Sequence, residues 1–125
     1  MRRDSSDKAW KKVKEEIQLR DKGICRLAKA LSIQEYITLR KEAGGNLGKL
    51  DPAHYLSVAD RPDLCYEPNN IVMLNHYSHS LLDDFKHPIT GTPISAEEQQ
   101  EWWLRILKTN PAQYMWLEDH GLIGE

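Results

Sequence analysis

Apolar residues recur along this chain with two different periods. Ala9, Trp10, Val13 and Ile17 fall at helical spacing, Lys11, Lys12 and Lys14 lie off that stripe, and Ser5 and Ser6 are placed to cap such a helix. Gly23 is its natural stop. Ser32-Ile-Gln-Glu35 reads as a capping box, and with Tyr36, Ile37 and Arg40 it predicts a second helix that ends at Gly44-Gly45, followed by a loop over Gly44–Gly48. The period then shortens. Leu50–Leu56 predicts a short extended segment, which Pro52, lacking an N–H, confines to a strand start or a sheet edge. Residues 57–69 contain Asp60, Pro62, Asp63, Pro68 and Asn69, which is loop chemistry, and Asn70–Leu74 predicts a second strand. From Asn75 the pattern turns helical again, with Tyr77, Leu81, Leu82 and Phe85 apolar and a stop before Pro88. After a Pro/Gly/Thr connector from His87 to Ile94, Ser95-Ala-Glu-Glu98 is another capping box. It opens a helix to about Leu107 with Trp102, Trp103, Ile106 and Leu107 on its apolar side. Asn110-Pro111 caps a last short helix carrying Tyr114, Met115, Trp116 and Leu117, which Gly121 ends.

These elements predict an α+β fold, mostly helical, in a single domain over residues 1–125. N-terminal helices fill 5–44, a strand–loop–strand–helix core fills 50–85, and C-terminal helices over 95–121 form a lid on the hairpin. Their aromatic residues, like Trp10, read as core. At 125 residues the chain is long enough to bury roughly two-thirds of its unfolded surface. No apolar run reaches the roughly 18 residues a membrane span needs, and the Arg2-Arg3-Asp4 start leads into no apolar segment. A cytoplasmic protein with no membrane partner is expected, and in that compartment Cys25 and Cys65 are two reduced thiols.

Charge changes this picture by its asymmetry. Residues 1–50 hold 13 Lys and Arg against 7 Asp and Glu, whereas residues 51–125 hold 4 against 12. A basic N-terminal half suits a phosphate backbone, acidic groups among histidines suit a cation, and solvated helix faces explain both equally well. Candidate chemistry sits in the acidic half. His54 closes an extended segment, so it and Pro52 face opposite to Asp51 and Ala53. His79 and Asp83, four apart on a helix, share a face as two ligands of one metal must, while His76 points elsewhere. Arg61 is a phosphate candidate with Asp60 and Asp63 as competing partners; Arg20 and Lys49 are further nucleic-acid candidates.

Five blocks in order make a more specific pattern: Arg20-Asp21-Lys-Gly23-Ile-Cys25, Ala53-His54-Tyr55, Arg61-Pro62-Asp63-Leu64, Asn70-Ile71-Val72-Met73-Leu74, and Ser78-His79-Ser-Leu-Leu-Asp83. Over roughly residues 10–85 the chain resembles the HNH nucleases, the ββα-metal finger family. The Asp-x-x-His-Tyr start resembles that of lambdoid phage recombination nucleases, and the spacing is similar to that of the nuclease colicins. The resemblance implies an endonuclease that hydrolyses DNA phosphodiesters; RNA is the other nucleic acid such a site could take. It assigns His54 as general base and Asn70 to the middle position of the motif, which binds metal in some members and holds the loop in others. It assigns His79 and Asp83 as metal ligands. Where many members carry a ligand directly before the base, Ala53 stands here, and Asp51, two residues earlier on the same face, is the candidate replacement. The four cysteine positions of the family's structural zinc read Cys25, Ala28, Asn75 and Ser78, so no structural zinc is expected, and an oxygen-rich ligand set favours Mg²⁺ or Mn²⁺. The alternatives are an inactive HNH-like module that binds nucleic acid or protein, and a small adaptor.

Overall fold

The structure, a computed structural model, describes residues 4–43 and 49–123. At its centre β1 (Leu50–His54) pairs antiparallel with β2 (Ile71–Asn75), and Leu50 stands opposite Asn75 and His54 opposite Ile71. The His76 N–H donates to the Lys49 carbonyl at one end and the Tyr55 N–H to the Asn70 carbonyl at the other, both at 2.8 Å. This frame puts Pro52, opposite Met73, at a position that contributes no bond to the ladder, so its missing N–H costs the pair nothing. The strands are shifted slightly from the sequence pattern. Asn70 belongs to a single 3-10 turn, Pro68–Asn70, and residues 55–56 are held by Asn70 rather than by a facing strand.

A two-stranded sheet has a second edge, and β2 is buried at all five positions. Its outward backbone groups end on side chains. Asp21, the last residue of α1 (Asp4–Asp21), accepts the Met73 N–H at 3.0 Å; Arg20 and Gln113 donate to the Ile71 carbonyl at 2.6 and 3.3 Å; the Cys25 sulfur accepts the Asn75 N–H at 3.1 Å. Lys22 and Gly23, both left-handed, turn the chain from α1 into α2 (Arg26–Leu31). Asp21 also accepts from Arg20 Nε at 2.8 Å and Nη2 at 2.9 Å, and from Arg26 Nη1 at 3.0 Å. Burial alone would raise the Asp21 pKa. The hydrogen bond from Arg20 and the charges of Arg26 and Arg20 outweigh burial and hold the carboxyl below its ordinary range. Arg26, fully buried, donates onward to Thr109 Oγ1 at 2.6 Å and to the last carbonyls of α5 (Ala96–Lys108), Ile106 at 3.2 Å and Leu107 at 3.4 Å.

The helix α1 begins at Asp4, so Ser5 and Ser6 fall within it. Between α2 and the hairpin lies α3 (Ile33–Ala43), with the Ser32 hydroxyl accepting the Glu35 N–H at 3.1 Å; the predicted Gly44–Gly48 loop lies outside the described residues. Arg40 of α3 is buried and donates to Ser78 Oγ at 3.0 Å and to the Pro88 carbonyl at 2.8 Å. The Tyr36 hydroxyl sits beside it and Cys25, its pKa raised chiefly by burial. Asn75 caps α4 (His76–Asp83) by accepting from Tyr77 and Ser78, and the Ser95/Glu98 capping box opens α5 as the sequence predicts.

The C-terminal helices reach the hairpin, with Trp103 edge-on to Tyr55 and Gln113 bonded to the Ile71 carbonyl, but they rest on other elements as well. The bed of α5 is α2, an element the sequence pattern left unassigned because six residues show no full period. The α6 helix (Pro111–Asp119) is fastened to the turn before β2, where Gln113 donates to the Asn69 carbonyl at 2.9 Å. Leu27, Val72, Leu74, Leu82, Ile106 and Leu117 form one core between these layers, and Val13, Ile17, Ile71 and Met73 form a second under α1. Among the described residues no helix is long and apolar enough to cross a membrane.

Candidate active site

Strand alternation sends Ala53 into the core, while Pro52 and His54 line a cavity of about 560 Å³. His54 Nε2 lies 2.9 Å from the Cys65 carbonyl. A carbonyl only accepts, so in the neutral ring Nε2 carries the proton and Nδ1 carries a lone pair, with no hydrogen-bond partner among the described residues. Trp10 packs against the Val13/Ile17 cluster as expected of a core anchor, but its indole also stacks on the His54 ring, centroids 5.5 Å apart and planes 14° from parallel. His54 therefore has a floor from α1 and a tether from the loop. No aromatic period could have shown this, because Trp10 and His54 meet only through the fold.

Asn70 is fully buried and is not part of this cavity's lining. Its Oδ1 accepts the Leu56 N–H at 2.8 Å, and its Nδ2 donates to the Leu56 and Leu64 carbonyls at 3.0 and 3.3 Å. Of the two roles the middle position of the motif allows, the geometry is that of a loop brace, which fixes the segment carrying Cys65 and through it His54.

Asp51, His79 and Asp83 come together as a chain rather than around one point. His79 Nδ1 is 3.1 Å from Asp51 Oδ2, and His79 Nε2 is 3.1 Å from Asp83 Oδ2. His76, expected to point elsewhere, stands three residues before His79 and so shares its helix face, and it meets the same Asp51 oxygen through its own Nδ1 at 2.7 Å. The register explains this: Asp51 stands opposite Leu74, two residues before α4 begins, so it overlies the first turn of that helix. Burial raises Asp51, but the hydrogen bonds from His79 and His76 outweigh it and hold its carboxyl below the ordinary range. It is therefore an ionised acceptor, and Nδ1 of His79 donates. In neutral His79 the Nε2 lone pair then faces the Asp83 carboxylate, an arrangement that calls for a proton or a cation between them. The Asp83 hydrogen bond accordingly raises the His79 pKa, burial opposes it, and Asp51 adds to the rise.

The same cavity is lined by His54, His79 and Asp83, with Asp60 and Ser57 from the loop and Gln99, Gln100 and Trp103 from α5. No protein-family model, curated protein or solved structure matches this chain. The site is therefore read from its own geometry. Arg20, expected as a nucleic-acid contact, has its guanidinium engaged by Asp21 and by the Pro68 and Ile71 carbonyls. Arg61 is exposed and makes a two-pronged pair with Asp63, at 3.1 and 2.9 Å, which solvent and a phosphate can exchange. Lys49 is exposed with no side-chain partner among the described residues.

Among the described residues no three His, Cys, Asp or Glu side chains form a group that could hold a metal ion. The pair of His79 Nε2 and Asp83 nonetheless suits one. Two ligands at right angles, about 2.1 Å from an octahedral ion, lie about 3.0 Å apart, and such ions take their remaining positions from water and substrate phosphate. Asp51 lies on the far side of the His79 ring and outside the cavity lining, where a carboxylate can orient the histidine but cannot share an ion with Asp83.

This chain of groups sets a pH window. Asp51, with its folded pKa depressed, contributes stability above the ordinary carboxylate value of about 4, and the contribution is lost as pH falls through the folded value. His79, with its folded pKa raised, contributes below the ordinary histidine value of about 6.5, and the contribution is lost as pH rises through the folded value. In metal-free buffer the melting-temperature gap between wild type and His79→Ala is therefore expected to be larger near pH 5.5 than near pH 8.5. Thermal melts at the two pH values check this, and an equal gap contradicts it.

Proposed function

We infer that this protein is a metal-dependent HNH-type endonuclease acting on DNA, with RNA as a second candidate substrate. The observation that carries the reading is one cavity lined both by a histidine tethered through Nε2 and by a histidine–carboxylate pair at ligand spacing. The strand–loop–strand–helix order supports it, since it brings His54 and α4 to one opening as the ββα-metal resemblance implies.

In this reading His54 Nδ1 takes the proton from a water as its oxygen attacks phosphorus, and the bond to the 3′-oxygen breaks, the leaving oxygen taking a proton from solvent, to give a 5′-phosphate and a 3′-hydroxyl. The charge that develops on the imidazole is shared through Nε2–H with the Cys65 carbonyl, and the Trp10 face keeps the ring from turning. His79 Nε2 and Asp83 would hold the ion, Mg²⁺ or Mn²⁺, which when bound stabilises negative charge on the phosphate and the leaving oxygen. Asp51 holds the His79 tautomer. Arg61 and Lys49 are the exposed cations available to the flanking phosphates, whereas Arg20 stays with the sheet edge.

Supercoiled plasmid DNA incubated with the protein is expected to be nicked in Mg²⁺ or Mn²⁺ and left intact in EDTA, as read on an agarose gel. No nicking in any divalent metal sinks the reading. If DNA binding persists there, the binding-module alternative takes its place.

A further inference from the structure

Phe85 breaks a local rule at the mouth of the cavity. The α4 helix ends in a paired turn in which the Phe85 N–H donates to the Leu82 carbonyl at 3.2 Å and the Lys86 N–H to the Leu81 carbonyl at 2.9 Å. The residue between those bonds must be left-handed, a position glycine takes because it has no Cβ, yet Phe85 occupies it with φ 57. Its ring is also 46% exposed, so neither backbone preference nor burial accounts for a phenylalanine there. What the ring does is line the cavity, together with Val58, itself 43% exposed. Pro52, Tyr55, Leu56 and Trp103 extend this apolar wall, with His54, His79 and Asp83 at the polar end.

The polar lining is fixed in advance. Gln100 Nε2 donates to the Tyr55 hydroxyl at 2.6 Å and Gln99 Nε2 to the Leu82 carbonyl at 2.9 Å, which leaves both amide oxygens without a partner among the described residues. At about 560 Å³ the space falls within the roughly 300–1,000 Å³ of pockets that enclose a small ligand. A regular duplex presents its sugar–phosphate backbone and the edges of its bases in the grooves, and keeps the base faces stacked inside. It can bring a phosphate to His54, but it has nothing to place against an aromatic wall.

We propose that this cavity receives one unstacked base of a single-stranded or locally opened DNA, with Phe85 as its stacking residue and the adjacent phosphate at the His54/His79/Asp83 end. The proposal rests on the nuclease reading for the identity of the ligand and adds its substrate class: unpaired DNA in preference to intact duplex. Left-handed strain and exposure at Phe85 are what such a role requires, since a ring directed into solvent is available to a π-face that arrives with the substrate.

The test uses fluorescein-labelled DNA of about 12 nucleotides, as a single strand and as the matching duplex, titrated in Mg²⁺ against protein carrying His54→Gln so that turnover does not consume the probe. The single strand is expected to bind more tightly than the duplex. Adding Phe85→Gly is expected to weaken single-strand binding about 10-fold or more, while the melting temperature holds or rises by a few degrees because the left-handed position is relieved. Phe85→Tyr keeps the ring and is expected to keep the affinity. Single-strand binding unchanged by Phe85→Gly overturns the proposal, as does a duplex bound at least as tightly, or a single strand that does not bind. These readings are independent of cleavage. A protein that never nicks but shows them loses the nuclease reading and keeps the pocket, and one that nicks with Phe85-independent binding loses only the pocket.

Discussion

His54→Ala is expected to lower the nicking rate by about 10²- to 10⁴-fold, the usual range for loss of a positioned general base. The same substitution removes the stack on Trp10 and the bond to the Cys65 carbonyl, so alanine alone confounds chemistry with loop geometry. Glutamine separates them. Its amide N–H can donate to the Cys65 carbonyl as Nε2 of the imidazole does, but its carbonyl oxygen is too weakly basic to take a proton from water. His54→Gln is therefore expected to melt within a few degrees of wild type and to be about as inactive as His54→Ala. Retention of more than about a tenth of the wild-type rate by the glutamine variant, measured in single turnover, would demote His54 from base to brace.

Asp21→Ala is expected to be the most destabilising single change in the molecule. Its two oxygens accept four hydrogen bonds from Arg20, Arg26 and the Met73 N–H, and its charge is the partner of the fully buried Arg26. Removing one member of a buried pair leaves the other charge uncompensated, which costs about 3–5 kcal/mol, against a total stability of about 5–15 kcal/mol for a domain of ordinary kind. Urea unfolding at neutral pH should show the midpoint fall accordingly. A loss below about 1 kcal/mol would mean that Arg26 finds other acceptors among the α5 carbonyls it already touches.

The elements legible in the sequence were those with local causes. The Ser95/Glu98 box, the Asn110 cap and the Ser32 cap are closed within four residues, and the structure forms each where the letters place it. The α2 helix escaped because six residues between a turn and Ser32 carry no period, and its reason to be helical is the α5 surface on which it lies. Among the site residues, His79 and Asp83 were legible together because their spacing is itself a contact. His76 was misread: a separation of three already puts it on the His79 face, and only the partner both meet, Asp51, comes from a strand 25 residues earlier. Arg20 looked like a phosphate contact because an arginine in a basic half invites that reading. Its partners, the Pro68 and Ile71 carbonyls, lie about fifty residues away and carry no sequence signature.

Arg40 is a case of the same kind. Of Cys25, Ala28, Asn75 and Ser78, the four positions that the sequence resemblance would give to a structural zinc, the Cys25 sulfur accepts a backbone N–H and Ser78 accepts from a buried guanidinium brought by α3. The cation at that corner belongs to the chain itself.

The outer backbone of β2, which ends on Asp21, Arg20, Gln113 and Cys25, bears on what the protein can assemble with. Those four side chains do the work of a third strand, and on the opposite edge Pro52 interrupts the row of donors that an incoming strand would need. The hairpin is thus poorly suited to recruiting a β-strand from a partner, from another copy or from an aggregate. Any pairing of two copies would then be made through surfaces other than the hairpin edges, leaving the sheet as a private support for the site.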